Sequence, residues 1–232
     1  MARDPGSIYS CGGIGTHTYG KYLRMEKTDA DDQMSDEEKN DGVLRDKDIR
    51  EPLFEYLEET CGKVRILEEK VIGRVRADVV MVTPGLIYGI EIKSDADTYA
   101  RLEKQVKYYN WYYDRNIIVV GSKHALHVKE HVPEWWGIIS AERDEKGGLD
   151  FYEIRKAEVN PRVKDHRKIT ILWRSELAHL QELNKLPKYR NKSKDYVRKL
   201  LIERVSADKL WTQATEELFE RDYSKYQKDE DE

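Results

Sequence analysis

Two extended segments joined by a tight turn constrain this chain more than any other feature. Residues 74–82 and 86–93 flank Thr83-Pro84-Gly85, a combination that is typical of a hairpin turn. In a hairpin symmetric about the Pro-Gly pair, Asp78 lies opposite Glu91. Side chains alternate between the faces of a strand, so Arg76 and Lys93 share the face of these two carboxylates. The other face is predicted to be an uninterrupted apolar surface of Val75, Ala77, Val79, Met81, Leu86, Tyr88, Ile90 and Ile92.

The opposed carboxylates require a compensating cation. Cβ atoms directly opposite on neighbouring strands lie about 5 Å apart, and like charges there are destabilising. Lys93 is one candidate for the cation and a divalent metal is another, since Mg²⁺ favours one or two carboxylates with waters and phosphate oxygens. Lys93 would then orient a water or stabilise developing charge. The ordinary alternative is a surface ion-pair lattice of little energetic weight.

The hydrophobic pattern along the chain predicts an α/β fold with a mixed sheet flanked by helices. A helix is expected from about Asp46, with Gly62 as its stop, and a second helix over Thr98–Tyr113. Further strands are expected at Val64–Val71 and Ile117–Gly121, followed by a hairpin around residues 146–148. Helical pieces are predicted near Leu172–Leu183, Tyr189–Arg204 and Ala207–Tyr223. We therefore expect a disordered or loosely attached arm over residues 1–44, a core over 45–165, and a C-terminal helical extension with an acidic tail over 166–232.

Composition excludes a membrane protein. Charged residues make up 37% of the chain, the mean hydropathy is −0.82, and no apolar run approaches the roughly 20 residues of a spanning helix. Cys11 and Cys61 lack metal-type spacing and are expected to be free thiols in the cytoplasm. The net charge of −4 gives no global argument for nucleic-acid binding. A local basic stretch, with Tyr189 and Tyr196 interleaved, could follow a nucleic-acid backbone or form a solvated helix face: Lys185, Lys188, Arg190, Lys192, Lys194, Arg198 and Lys199.

The residues Asp78, Glu91 and Lys93 resemble the Asp…Glu-X-Lys core of the PD-(D/E)XK nuclease superfamily. The order helix, three strands, helix, strand over residues 46–122 also resembles the restriction-endonuclease-like core of that superfamily. Ala77 stands where the superfamily name has proline. The segment Val-Pro-Glu-Trp-Trp-Gly is similar to one in bacterial and phage proteins that share this core.

The resemblance implies a role for each candidate residue. Asp78, Glu91 and the backbone carbonyl of Ile92 would hold Mg²⁺ or Mn²⁺, and Lys93 would assist the attacking water. Gln105 and Tyr109 match a Gln-X-X-X-Tyr pattern that lies near the catalytic site and the DNA strand in RecB-like members. For Tyr109 the alternative is core packing.

For two further residues, a role at the site has an equally simple structural alternative. Glu51 on the first helix could contact the metal or the substrate, although Asp48 and Glu51 also fit a capping box with Pro52 in the first turn. Arg101, one turn before Gln105, could contact phosphate or be solvated.

We expect a metal-dependent nuclease that hydrolyses phosphodiester bonds in DNA. The alternative is a catalytically silent nucleic-acid-binding or adaptor module on the same fold. A phage or mobile-element protein that acts on a host partner through the helical extension also stays open, as does a homodimer. No membrane partner is expected.

Overall fold

The computed structural model describes residues 43–189 and 191–221. Most of the predicted N-terminal arm, the acidic tail, Cys11 and Arg190 lie outside these residues. Cys61 is a free cysteine. In the described ranges, no helix has the length and apolarity that crossing a membrane would require.

A single sheet of six strands forms the centre of the described part of the chain. Its spatial order is β1-β2-β3-β4-β5-β6, with β3, β4 and β5 parallel to one another and the other neighbours antiparallel. The predicted mixed sheet flanked by helices is therefore confirmed. The strands are β1 (Arg65–Ile72), β2 (Val75–Thr83), β3 (Leu86–Lys93), β4 (Arg115–Gly121), β5 (Gly137–Arg143) and β6 (Leu149–Arg155).

Helices cover both faces of the sheet. The first helix packs its buried residues Ile49, Leu53 and Leu57 against one face, while the second helix and the C-terminal helices pack against the other. The described helices are α1 (Asp46–Cys61), α2 (Leu102–Tyr112), α3 (Ser122–Ala125), α4 (Asp165–Lys168), α5 (Arg174–Leu183), α6 (Lys194–Arg204) and α7 (Ala207–Phe219), with single 3-10 turns at Val128–Glu130 and Ile169–Ile171.

The register of the β2–β3 hairpin is the predicted one. Thr83 pairs with Leu86, and the ladder continues to Val79 opposite Ile90. Pro84 and Gly85 form the two-residue connection, where Gly85 adopts a φ of +79° that an L-side chain rarely adopts. The ladder ends one step before Asp78 and Glu91, so these two residues lie where the strands separate.

A face switch on β2 contradicts the predicted uninterrupted apolar face. Ala77 belongs to the core on the α2 side together with Val80, whereas Val79 belongs to the core on the α1 side. The β1–β2 ladder skips the pair Glu69 and Asp78, and Glu69 has a φ of +52°. Because this local distortion resets the alternation, Val75 and Ala77 pack opposite to the face that strict alternation predicts.

The C-terminal helices are joined to the sheet by buried polar contacts. The Thr215 hydroxyl accepts a hydrogen bond from the Gly85 amide at 2.9 Å. Arg221 is 4% exposed and pairs with Glu176 at 2.6 Å, while its carbonyl accepts from Arg65 at 2.9 Å. The hydrophobic residues of α5, α6 and α7 complete the core that covers the α2 face of the sheet.

Two tyrosine rings on the α2 side of the sheet pack directly against Gly89 of β3. A Cβ atom at this position would lie 2.1 Å from a ring carbon of Tyr113 and 2.7 Å from one of Tyr109. Both rings are buried, at 1% and 0% exposure. We expect Gly89→Ala to lower the free energy of unfolding by about 1–3 kcal/mol, because the rings must move out of a close-packed core.

Urea unfolding of wild type and Gly89→Ala measures this difference. Gly148→Ala, whose new Cβ would meet the Asp144 side chain in an exposed turn, serves as the control. Equal unfolding free energies for wild type and Gly89→Ala would contradict the close packing of the tyrosines over β3.

Candidate active site

Glu91 is the most deeply buried charged residue of the predicted cluster. Its side chain is 0% exposed. Its Oε1 accepts a hydrogen bond from the Lys93 ammonium at 2.5 Å and another from the Gln105 amide. Its Oε2 is buried and has no hydrogen-bond partner within the described ranges, and the same is true of Gln105 Oε1. A buried polar atom without a partner costs about 1–3 kcal/mol, so this point of the structure favours a ligand that supplies positive charge or a donor.

Asp78 lies where β2 and β3 separate, and its carboxylate takes part in joining them. Asp78 Oδ2 accepts a hydrogen bond from the Ile92 amide at 2.9 Å. The Asp78 amide donates to the Tyr109 hydroxyl at 3.1 Å, and that hydroxyl donates to the Ile90 carbonyl at 3.3 Å. The Tyr109 hydroxyl therefore bridges the two strands at the end of their ladder and fixes the backbone of Asp78.

Arg50 on α1 is a site residue that the sequence interpretation missed. Its guanidinium donates to the Asp78 carbonyl at 3.4 Å and lies 4.0 Å from Asp78 Oδ1. It also pairs with Asp46 one helical turn earlier and with Glu68 at 3.5 Å. The i,i+4 spacing of Asp46 and Arg50 was visible in the sequence, but only the packing of α1 against the sheet shows that this pair reaches Asp78.

Glu51 does not lie where the resemblance suggested. It is exposed, and the α1 side chain that reaches Asp78 is that of its neighbour Arg50. The predicted capping box is also wrong: α1 begins at Asp46, and the Asp48 carboxylate accepts from the Arg45 amide at 3.0 Å. Pro52 consequently falls in the second turn of the helix.

Gln105, Tyr109 and Arg101 differ in how they relate to the cluster. The Gln105 amide contacts Glu91 directly, whereas Tyr109 is fully buried and contacts the backbones of β2 and β3. Arg101 precedes α2, because this helix begins at Leu102 rather than at Thr98, and its side chain is exposed. The structure thus brings together Asp78, Glu91, Lys93, Gln105 and Tyr109. A contact between Arg101 and phosphate stays a prediction.

Burial dominates the electrostatics of the two carboxylates. It raises the pKa of Glu91 to about 7, and the negative charge of Asp78 adds to this shift while Lys93 opposes it. Burial also raises the pKa of Asp78, with the hydrogen bond from the Ile92 amide acting in the opposite direction. The pKa of Tyr109 is raised well above its ordinary value by burial and by the same two carboxylates. Tyr109 is therefore a neutral donor, and burial disfavours the ionised form of both carboxylates.

The cluster offers carboxylate oxygens of the kind that a hard divalent cation prefers. Asp78 and Glu91 supply carboxylate oxygens, one of which lacks any partner in the described ranges, and Mg²⁺ or Mn²⁺ prefers such oxygens together with waters. Within residues 43–189 and 191–221, no group of three or more His, Cys, Asp or Glu residues is arranged to hold a metal. A cation here would therefore need backbone carbonyls, waters or substrate oxygens to complete its coordination.

Fold and site together define a mixed α/β protein with a buried carboxylate–lysine cluster at the end of its central hairpin. A family model described as bacteriophage P4 protein cII matches residues 39–230, and the chain belongs to this family. Protein cII of Enterobacteria phage P4 is 27% identical over 142 residues, which cover 60% of this chain. The matched region covers 53% of that curated relative, so the chain spans about half of its length.

A comparison with solved structures gives a remote similarity. The structure of Pyrococcus furiosus SfsA in complex with Ca²⁺ matches over 49% of this chain and 60% of that chain, with 16% sequence identity. The TM-score is 0.29, which lies below the level of a shared overall fold.

The raised pKa of Glu91 predicts an unusual dependence of stability on pH in the absence of metal. Folding raises this pKa from 4.5 to about 7. The contribution of protonated Glu91 to the free energy of unfolding is therefore fully present below pH 4.5 and is lost as the pH rises through about 7. We expect the loss to reach at most about 3 kcal/mol. Glu91→Gln should lack this component, because a neutral amide does not titrate.

Urea unfolding in EDTA at several pH values between 4 and 8 measures the effect. Glu153→Gln, which changes an exposed glutamate of β6, is the matched control and should follow wild type. A Glu91→Gln protein with the pH dependence of wild type would show that Glu91 does not titrate near neutrality.

Proposed function

We propose that this protein is a metal-dependent nuclease that hydrolyses phosphodiester bonds in DNA. The observation that carries the proposal is the buried Glu91 carboxylate, which shares one oxygen with Lys93 and Gln105 and has a second oxygen without a partner in the described ranges. A structural ion pair gains nothing from such an oxygen, because an unsatisfied buried acceptor is destabilising. A site that binds a cation, in contrast, requires an oxygen that is not already occupied by a protein donor.

The order of elements supports a restriction-endonuclease-like core. Helix α1 is followed by the antiparallel strands β1, β2 and β3, then by α2 and by β4, which runs parallel to β3. This is the order that the resemblance to the PD-(D/E)XK superfamily implies. In this core, Asp78 and the pair Glu91 and Lys93 lie on neighbouring strands, as that superfamily's motif requires.

In the proposed mechanism, Asp78, Glu91 and the backbone carbonyl of Ile92 would hold Mg²⁺ or Mn²⁺. A bound metal would supply polarisation of a phosphoryl oxygen and a more acidic water. Lys93 has three N–H donors, of which one is bound to Glu91 Oε1. Its remaining donors orient the attacking water and stabilise the charge that develops on the phosphate oxygens.

The α2 residues support this site in two ways. Gln105 holds Glu91 through its amide nitrogen, and its unpartnered Oε1 can accept a hydrogen bond from a bound water or strand. Tyr109 acts as a positioning residue. Its hydroxyl is buried and accepts from the Asp78 amide, so it fixes the Asp78 backbone and does not face solvent. Arg101, which is exposed at the start of α2, is proposed to contact phosphate.

A catalytically silent nucleic-acid-binding module is the second candidate. It is favoured by the internal charge compensation of the cluster, since Lys93 lies 2.5 Å from Glu91 and Arg50 lies 4.0 Å from Asp78. Such compensation allows the carboxylates to persist without a metal ion. Cleavage and metal binding distinguish the two candidates.

Replacement of the charged pair by neutral isosteres tests the proposed activity. Lys93 is 7% exposed and pairs with a fully buried carboxylate, so removing it alone would leave an uncompensated buried charge. In Glu91→Gln/Lys93→Met both charges are removed and the volume is kept. We expect this variant to fold and to lose Mg²⁺- or Mn²⁺-dependent cleavage of linear, circular and single-stranded DNA.

Gel assays of cleavage and thermal unfolding are measured on the same preparations. Lys146→Ala, which changes an exposed lysine of the β5–β6 turn, should cleave like wild type. Cleavage by the folded double variant at the wild-type rate would exclude Glu91 and Lys93 as catalytic residues. No cleavage by wild type on any DNA would favour the binding module.

Arg50 provides a test of the metal site that does not depend on turnover. Its positive charge lies beside Asp78 and repels a divalent cation bound there. We therefore expect Arg50→Met to bind Mn²⁺ several-fold more tightly than wild type, while its metal-free form is less stable because Asp46 and Asp78 lose their cation. Isothermal titration with Mn²⁺ measures the affinity. Lys47→Met, which changes an exposed basic residue of the first turn of α1, is the control. Unchanged Mn²⁺ affinity in Arg50→Met would place the metal elsewhere.

A further inference from the structure

The α5–α6 connection and the start of α6 carry a local excess of positive charge. Residues 185–199 contain seven Lys and Arg residues and a single acidic residue, Asp195. Three of the cations face carboxylates: Lys188 pairs with Glu182, Arg198 with Asp195, and Lys199 with Glu203. The exposed lysines of this surface that no described carboxylate neutralises are Lys185, Lys192 and Lys194.

An aromatic pair lies within this basic surface. The rings of Tyr189 and Tyr196 meet edge to face with their centroids 5.2 Å apart. Tyr196 is 41% exposed, which is high for a large aromatic side chain. The Lys192 ammonium lies 5.3 Å from the centroid of the Tyr196 ring. An aromatic ring is thus presented to solvent with a cation directly beside it.

An open cleft adjoins the same aromatic pair. It has a volume of about 440 Å³, and its lining includes Arg174, Gln181, Tyr189 and the ion pair of Lys188 with Glu182. The Arg174 guanidinium donates to the Tyr189 carbonyl at 2.7 Å, and Gln181 donates to the Pro187 carbonyl at 2.7 Å. These bonds tie Pro187 and Tyr189 to α5, so one ring of the aromatic pair is held beside the cleft.

We propose that this surface binds single-stranded nucleic acid, with a base stacked on Tyr196 and phosphates held by the exposed lysines Lys192 and Lys194. Proteins that bind single strands combine a basic groove that follows the backbone with aromatic side chains that stack on bases. A duplex cannot use the Tyr196 ring in this way, because its base faces are already stacked on one another. The site is separate from the Asp78–Glu91–Lys93 cluster and does not depend on catalysis.

Fluorescence anisotropy in EDTA tests the proposal with the full chain. The probes are labelled oligothymidylate and oligouridylate about 20 nucleotides long, which exceeds the usual single-strand site of about 4–16 nucleotides, and a DNA duplex of the same length. We expect both single strands to bind more tightly than the duplex. Tyr196→Ala should weaken single-strand binding about tenfold, and Tyr196→Phe should bind like wild type because it keeps the ring.

Matched variants separate stacking and phosphate contact from general effects. Tyr152→Ala removes a tyrosine that is 52% exposed on β6 and should leave binding unchanged. Lys192→Ala should reduce the steepness with which log affinity falls against log salt by about 0.7, as expected for one lost phosphate contact with a single strand. Lys146→Ala should leave this salt dependence unchanged.

The proposal is overturned if Tyr196→Ala binds single strands like wild type or if the duplex binds as tightly as either single strand. Because EDTA removes divalent cations, these results do not depend on cleavage. A protein that binds single strands through Tyr196 but never cleaves DNA would refute only the nuclease proposal. A protein that cleaves DNA but does not bind single strands through Tyr196 would refute only the single-strand proposal.

Discussion

The burial of Glu91 is the constraint on which the rest of the site depends. A carboxylate without solvent is ionised only where cations or donors compensate it, and Lys93 and Gln105 compensate one of its two oxygens. The second oxygen has no such partner in the described ranges. Burial, together with the charge of Asp78, raises the pKa of Glu91 to about 7. Near neutral pH, Glu91 therefore lies between its protonated and its ionised form, a condition that a fully satisfied ion pair would not show.

Two strand ladders are interrupted beside Glu91, at the same level of the sheet. The β1–β2 ladder skips Glu69 and Asp78, and the β2–β3 ladder stops at Val79 and Ile90. The Tyr109 hydroxyl replaces the missing strand contact, and it reaches this position because its ring packs over Gly89. A glycine on β3, a tyrosine on α2 and a distorted residue on β1 thus act together to turn Asp78 towards Glu91 and the Ile92 amide.

The sequence allowed the hairpin register and the pairing of Asp78 with the Glu91 region to be predicted, because a two-residue Pro-Gly turn leaves little freedom in the alignment of its strands. It did not allow the face switch of β2 to be predicted, since the residue with positive φ is Glu69 and not a glycine that would mark the distortion. Arg50 was missed for a related reason. In a chain with 37% charged residues, only tertiary packing distinguishes a side chain that reaches the cluster from neighbours such as Glu51 that face solvent.

The helical extension belongs to the same packed unit as the sheet, and this affects how the two proposed surfaces work. Thr215 caps the β2–β3 turn through the Gly85 amide, and the buried pair of Arg221 and Glu176 ties the end of α7 to α5 and, through Arg65, to β1. Removing one partner of such a buried pair is strongly destabilising, so the extension is not free to move independently of the core. Because the buried residues of α6 belong to the same core as those of α5 and α7, the proposed single-strand surface around Tyr196 keeps a fixed position relative to the sheet.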